Sequence, residues 1–205
     1  MNPDSSEAPR LKTHFRQQTR EAILAAAEST IAEVGVAAAR MEDIASSAGV
    51  AVGTVYNYFK DRQQLVTALV DLRRAELIDR VDAALTCKEQ NSFEDRLHAF
   101  VHACLSHFDQ HRALFSLMVQ EESEIQHNTG AKLSMVRALN VRIEQLLAHD
   151  GATGRFQIES KLLPALLFGL LRGVILQSLL GADRDSLTDQ VAPLTQFFLR
   201  GAGYS

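Results

Sequence analysis

With 205 residues, 46% of them hydrophobic, four Pro and no Trp, the chain has material for one medium or two small domains with a buried core. A formal net charge of −4 excludes a uniformly basic nucleic-acid binder. Apolar residues recur at helical spacing almost throughout, which excludes a β fold and predicts an all-α protein.

Taken in chain order, residues 1–12 carry Pro, Ser and charge and are expected to stay mobile. Residues 1–14 are therefore read as a flexible basic arm. Arg10, Lys12, Arg16 and Arg20, with His14 and no acid among them, concentrate positive charge of the kind that follows a phosphate backbone or enters a minor groove. A first helix is predicted from about Phe15 to Val34, with Ile23, Leu24, Ala27, Ile31 and Val34 as its buried stripe and Gly35 as its stop. Met41, Ile44, Ala45 and Ala48 then make one apolar stripe on a two-turn helix. Gly49 can take the left-handed conformation that turns the chain sharply, and Val50 pins the turn to a core. A second short helix should start near Ala51. Val52, Val55 and Phe59 face inward on it, Gly53, Thr54, Asn57 and Tyr58 point largely outward, and Tyr56 lies at the boundary. Glycine, hydroxyl, amide and phenol on one face suit close approach to phosphate oxygens and base edges, so the segment reads as a helix-turn-helix.

The run Asp43-Ile44-Ala45, Ala48-Gly49-Val50 and Gly53-Thr54-Val55-Tyr56-Asn57-Tyr58-Phe59-Lys60-Asp61-Arg62, with Leu65, resembles the DNA-binding domain of the TetR family of bacterial repressors over roughly residues 15 to 70. The resemblance implies a homodimer of about nine helices per chain, with a small N-terminal DNA-binding domain and a larger C-terminal domain that binds an inducer. Domain bounds follow as 15–61 for the helix-turn-helix domain and 62–205 for ligand binding and dimerisation, 62–86 being the connecting helix. The DNA-contacting set is expected to be Arg40, Val52, Gly53, Thr54, Tyr56, Asn57, Tyr58, Lys60 and Arg62. Thr54, Tyr56, Asn57 and Tyr58 belong in the groove, and Tyr58, Lys60, Arg62 and Arg40 mainly on phosphates. Ala51 and Arg40 depart from the Ser and Thr frequent in the family, and a lost capping oxygen costs about 1 kcal/mol.

Asp61 with Gln64 makes a capping-box variant ahead of a helix from Arg62 to about Leu85. Ser92 with Asp95 caps another, whose stripe is Phe93, Leu97, Phe100, Val101, Cys104, Leu105 and Phe108. Further helices are predicted at about 111–124, 131–148, 160–180 and 186–200. A loop is expected at 125–130, a linker at 151–154, Gly201 as the last helix stop, and Pro193 as a kink or late start. The last two helices are apolar over more of their circumference than one protomer needs. A four-helix bundle on a two-fold axis is expected, with Leu163, Leu167, Leu170, Val174, Leu194 and Phe198 at the dimer interface. Two reading heads would then meet half-sites about 34–36 Å apart.

The resemblance also implies an effector pocket. Phe100, Phe108, Phe115, Met118, Met135 and Phe168 could wall it and His102, Asn140 and Arg172 orient a largely apolar ligand, with core packing as the competing reading. No Gly-rich phosphate loop or nucleophile elbow supports catalysis, and no cofactor is called for. Cys87 and Cys104 fit no metal or redox spacing. His98 and His102 are four apart, as are His107 and His111. At 100° per residue His107 lies about 180° from His98, so the four cannot converge on one helix. Solvated or pocket-rim histidines and no metal site are expected. The longest apolar stretch, 162–180, holds Arg172 near its middle and fits a membrane span poorly. No apolar run near the N-terminus suggests a leader, so a soluble cytoplasmic regulator is expected, with double-stranded operator DNA, a second copy and a small effector as partners and no membrane. The competing class is a helical small-molecule binding protein with a non-functional DNA-binding domain.

Overall fold

The computed structural model describes residues 7–87, 92–120, 129–148, 154–181 and 185–204, and side chains for all of these except 7–12, 117–120 and 129–134. The described residues form nine α-helices and a 3₁₀ turn with no strand, the all-α class expected. They group into two compact units, Met1–Arg73 and Arg74–Ser205, the division falling within the fourth helix.

The first unit holds α1 (Glu7–Val34), α2 (Met41–Ser47), α3 (Val52–Tyr58) and the opening turns of α4 (Arg62–Thr86). Helix α1 begins at Glu7 rather than near Phe15, so residues 7–14 are helical where a flexible arm was expected. Pro9 falls in the first turn, where its missing N–H has no helical partner to lose. Ile23, Leu24, Ala27 and Ile31 are fully buried as their spacing requires. Val34 is 51% exposed instead, because the chain leaves the helix at Gly35 (φ 85°) and Val36 enters the core in its place. Each fully buried aliphatic side chain contributes about 1.5–3 kcal/mol.

Helix α2 buries Met41, Ile44 and Ala45. Gly49 takes φ 67°. The Val50 N–H donates to the Ala45 carbonyl at 3.0 Å and the Gly49 N–H to the Ser46 carbonyl at 3.1 Å, the paired bonds of a Schellman closure. Helix α4 opens with a shifted capping box. Asp61 Oδ1 accepts from the Gln64 N–H at 2.7 Å, while Gln64 Oε1 accepts from the N–H of Lys60 at 2.7 Å. Arg73 Nε donates to Glu28 at 3.0 Å, tying α4 to α1.

The second unit continues with the rest of α4, then α5 (Phe93–Gln110), α6 (Arg112–Gln120), α7 (Thr129–Ala148), α8 (Leu163–Leu180), the 3₁₀ turn Leu187–Gln190 and α9 (Val191–Gly201). Ser92 Oγ caps α5 by accepting from the Asp95 N–H at 3.1 Å. Helix α8 starts at Leu163, not near Ser160, because Pro164 has no N–H to close a turn onto the Ser160 carbonyl. Pro193 likewise sits in the first turn of α9 after the 3₁₀ turn, the late start expected of it. Gly201 stays helical, contrary to expectation. The left-handed closure comes from Gly203 (φ 67°), with the Tyr204 N–H on the Leu199 carbonyl at 2.9 Å. The expected loop at 125–130 and linker at 151–154 lie largely outside the described residues. Leu77, Val81, Leu97, Phe100, Leu105, Ile143, Leu167, Leu194 and Phe198 anchor the core of this unit. Among the described residues α8 is the one helix long and apolar enough to cross a bilayer, but its Leu163, Leu167 and Leu171 are taken up by that core.

Candidate functional site

Helix α3 divides cleanly into two faces. Val55 and Phe59 are buried at 0% and 2%, and Val52 is half-buried. Gly53 and Asn57 are exposed, Thr54 and Tyr58 half-buried, and Tyr56, placed by periodicity at the boundary, is 47% exposed. Among the described residues, no hydrogen bond within the chain uses the side chains of Thr54, Tyr56 or Asn57. A Cβ at Gly53 would meet nothing within 4 Å, so bare backbone faces outward there. The result is a two-turn helix whose outer face offers a hydroxyl, a phenol and an amide, the groups that bond base edges and phosphates.

Cations border this face. The guanidinium of Arg16 lies 5.9 Å from the centre of the Tyr58 ring, and that of Arg20 lies 5.5 Å from the centre of the Phe59 ring. Arg40 and Lys60 are exposed. Arg62, expected mainly on phosphates, donates from Nη1 to the Ala37 carbonyl and joins the 35–39 turn to the start of α4. Sequence spacing carried no sign of this bond, which spans 25 positions. The N-cap positions Arg40 and Ala51 make no side-chain capping bond, as their residue types imply. The side chains of Arg10 and Lys12 lie outside the described residues.

The second unit contains an apolar cavity of about 210 Å³ between α5, α7 and α8. Phe100, Phe108, Met135, Phe168 and Arg172, all expected around a pocket, line it, together with Cys104, Val136, Leu139, Ile143, Leu171 and Ile175. These six escaped sequence reasoning because a pocket wall of aliphatic residues has the same periodicity as a core. Burial pushes the Cys104 thiol up to about 12, which keeps it neutral and unreactive at physiological pH. Phe115 packs on Phe108 with ring centres 4.7 Å apart, outside the lining. His102 is exposed, Asn140 is half-buried away from the lining, and the side chain of Met118 lies outside the described residues.

Two further expectations are corrected by burial. Leu163, Leu167, Leu194 and Phe198, expected at a dimer interface, are buried in their own unit, and Leu170 and Val174 are partly buried against the same core. The exposed apolar side chains of α8 and α9 are Leu166, Leu176, Leu180 and Phe197, with Leu162 just ahead of α8. Helical spacing places a stripe but cannot tell which side of an all-apolar helix the fold covers. His98 and His102 are exposed, whereas His107 and His111, expected to be solvated or on a pocket rim, are buried at 0% and 7%. Helix α6 packs over the end of α5 and encloses them, with the Phe115 ring 6.1 Å from that of His107.

Comparison with known proteins agrees with this geometry. Residues 23–69, which span the last turns of α1, all of α2 and α3 and the opening turns of α4, match the family described as bacterial regulatory proteins of the tetR family. The fatty acid metabolism regulator protein of Bacillus subtilis is 24% identical over 153 residues, covering 73% of this chain and 77% of that protein. The structure of the fatty acid degradation regulator FadR from Bacillus halodurans superimposes with a TM-score of 0.72 at 25% identity, covering 91% of this chain and 97% of that one. The structure of FadR from Bacillus subtilis in complex with stearoyl-CoA gives 0.70 at 20% identity, covering 88% and 98%. The outward-facing helix-turn-helix within residues 23–69 is thus the DNA-binding part of a transcriptional regulator of the tetR type, and the helical unit that follows belongs to a fold shared with the FadR structures.

Proposed function

We propose that this regulator is a repressor whose hold on its operator is released by a small, largely apolar effector with an anionic head, and that it works by binding alone, without catalysis. The observation that carries the DNA half of the reading is the outer face of α3, where Gly53, Thr54, Tyr56 and Asn57 are left to a partner by their own chain. Tyr58, Lys60 and Arg40 are assigned to phosphates. Arg62 is assigned to holding the turn before α2. The exposed band of Leu162, Leu166, Leu176, Leu180 and Phe197 supports pairing with a second copy in the cytoplasm, where two reading heads meet one duplex.

The effector half rests on the cavity. Its lining is aliphatic, aromatic and thiol, with Arg172 as its one charged residue. A volume of about 210 Å³ is below the ~300–1,000 Å³ usual for drug-sized ligands, so a single alkyl chain fits better than a fused ring system. The name of the Bacillus subtilis relative and the stearoyl-CoA bound in the Bacillus subtilis FadR structure support an acyl ligand whose acidic head meets Arg172. Fluorescence anisotropy on an operator selected from genomic fragments, with and without acyl-CoAs of graded chain length, tests the reading. Release should lower operator affinity at least tenfold, a coupling of about 1.4 kcal/mol, and Arg172→Leu should blunt release without changing affinity in its absence. A bound acyl-CoA that leaves operator affinity unchanged refutes release, and no preferred DNA target refutes the whole reading.

A further inference from the structure

We propose that Glu76 on α4, with His107 and His111 at the end of α5, forms a binding site for a divalent transition-metal ion, best matched by Zn²⁺. One ligand atom from each of these residues lies within 4.8 Å of the others. His111 Nε2 lies 3.9 Å from Glu76 Oε2, and the centres of the two imidazole rings lie 4.8 Å apart. A triangle with sides of at most 4.8 Å has a centre no more than ~2.8 Å from any corner, against bond lengths of ~2.0–2.1 Å for zinc to imidazole or carboxylate. Inward shifts of roughly 0.7 Å, within reach of small side-chain rotations, therefore complete the coordination.

The surroundings favour a cation of this class. Two imidazoles and one carboxylate suit zinc and its transition-metal neighbours, whereas magnesium and calcium prefer all-oxygen shells. His107 is in the last turn of α5 and His111 is its C-cap, where the helix dipole presents its negative end. Phe108 meets His107 edge-on at 5.9 Å and Phe115 lies at 6.1 Å, walling the imidazoles off from water. Glu76 is 35% exposed and leaves the approach to the third ligand open. Three protein ligands leave a fourth position for water or an anionic group.

The full-length chain, stripped with EDTA and dialysed, is titrated with Zn²⁺ by calorimetry and with Co²⁺ by visible absorption. One Zn²⁺ per chain, tetrahedral Co²⁺ bands, no comparable Mg²⁺ binding and a raised Tm with zinc are expected. Glu76→Gln and His111→Asn should each weaken zinc at least tenfold, while His98→Ala with His102→Ala, on the exposed part of α5, should leave it unchanged. Circular dichroism checks that the variants fold; if His111→Asn does not, Glu76→Gln decides alone. Absence of stoichiometric zinc, equal affinity in Glu76→Gln, or loss confined to the exposed histidine variant overturns the site.

Discussion

In the first unit the side chains assigned to function point away from the core, whereas in the second they belong to it. Helix α3 buries Val55 and Phe59 and leaves Thr54, Tyr56 and Asn57 to the outside. Helix α5 turns Phe100 and Cys104 into a cavity, and His107 and His111 into a buried cluster. A surface that reads DNA must remain free of its own chain, while a surface that holds a small apolar molecule must look like protein interior. Function in the first unit therefore shows as a break in the hydrophobic pattern, and in the second as no break at all.

The largest expected effect tests whether the reading head stands on its own core. Ile44 is fully buried, so Ile44→Ala should cost about 2–5 kcal/mol. Hydrogen exchange should speed up across α1 to α3 while α5 and α8 keep their protection; equal acceleration in both units would break the contrast drawn above. Next come the outward residues. Asn57→Ala should shift sequence preference by about 1–3 kcal/mol at one base pair, and Lys60→Ala should weaken all sequences alike and lower the salt slope by about one. Gly53→Ala sharpens the point, because its Cβ has open space. Stability should hold or rise by up to about 1 kcal/mol while operator affinity falls roughly tenfold, on the scale of one disturbed base contact.

In the second unit Asp109 offers a test through pH. Burial raises its carboxyl, but bonds from the Ser186 hydroxyl, Arg112 and the Leu187 N–H outweigh this and hold it below its ordinary value of 3.8. A depressed carboxylate stabilises the fold above the unfolded pKa, and that contribution is lost as pH falls through the native one. Asp109→Asn should therefore cost about 1–2 kcal/mol near neutrality, and its difference from wild type should shrink below about pH 4 in denaturant titrations. The smallest effect concerns thiols. An Ellman titration should detect exposed Cys87 alone in the native chain and Cys104 only after denaturation.

Most elements were legible because their signals are local. The Gly49 turn, the Asp61–Gln64 and Ser92–Asp95 caps and the late start behind Pro193 depend on residues within one or two turns of each other. The expectations that failed required knowledge of distant partners. Leu163, Leu167, Leu194 and Phe198 lie in the core of their own unit because of where α5 and α7 pack, which no periodicity in α8 or α9 records.

By itself the sequence determined the helical class, the helix-turn-helix and the outward character of Thr54 and Asn57, since backbone preference and apolar spacing act over a few residues. Tertiary structure alone decided which leucines remain exposed on α8, which aliphatic residues wall the cavity and that Glu76 stands beside His107 and His111. Those outcomes depend on how helices far apart in the chain pack together, and side-chain contacts across such distances leave no periodic trace in either partner.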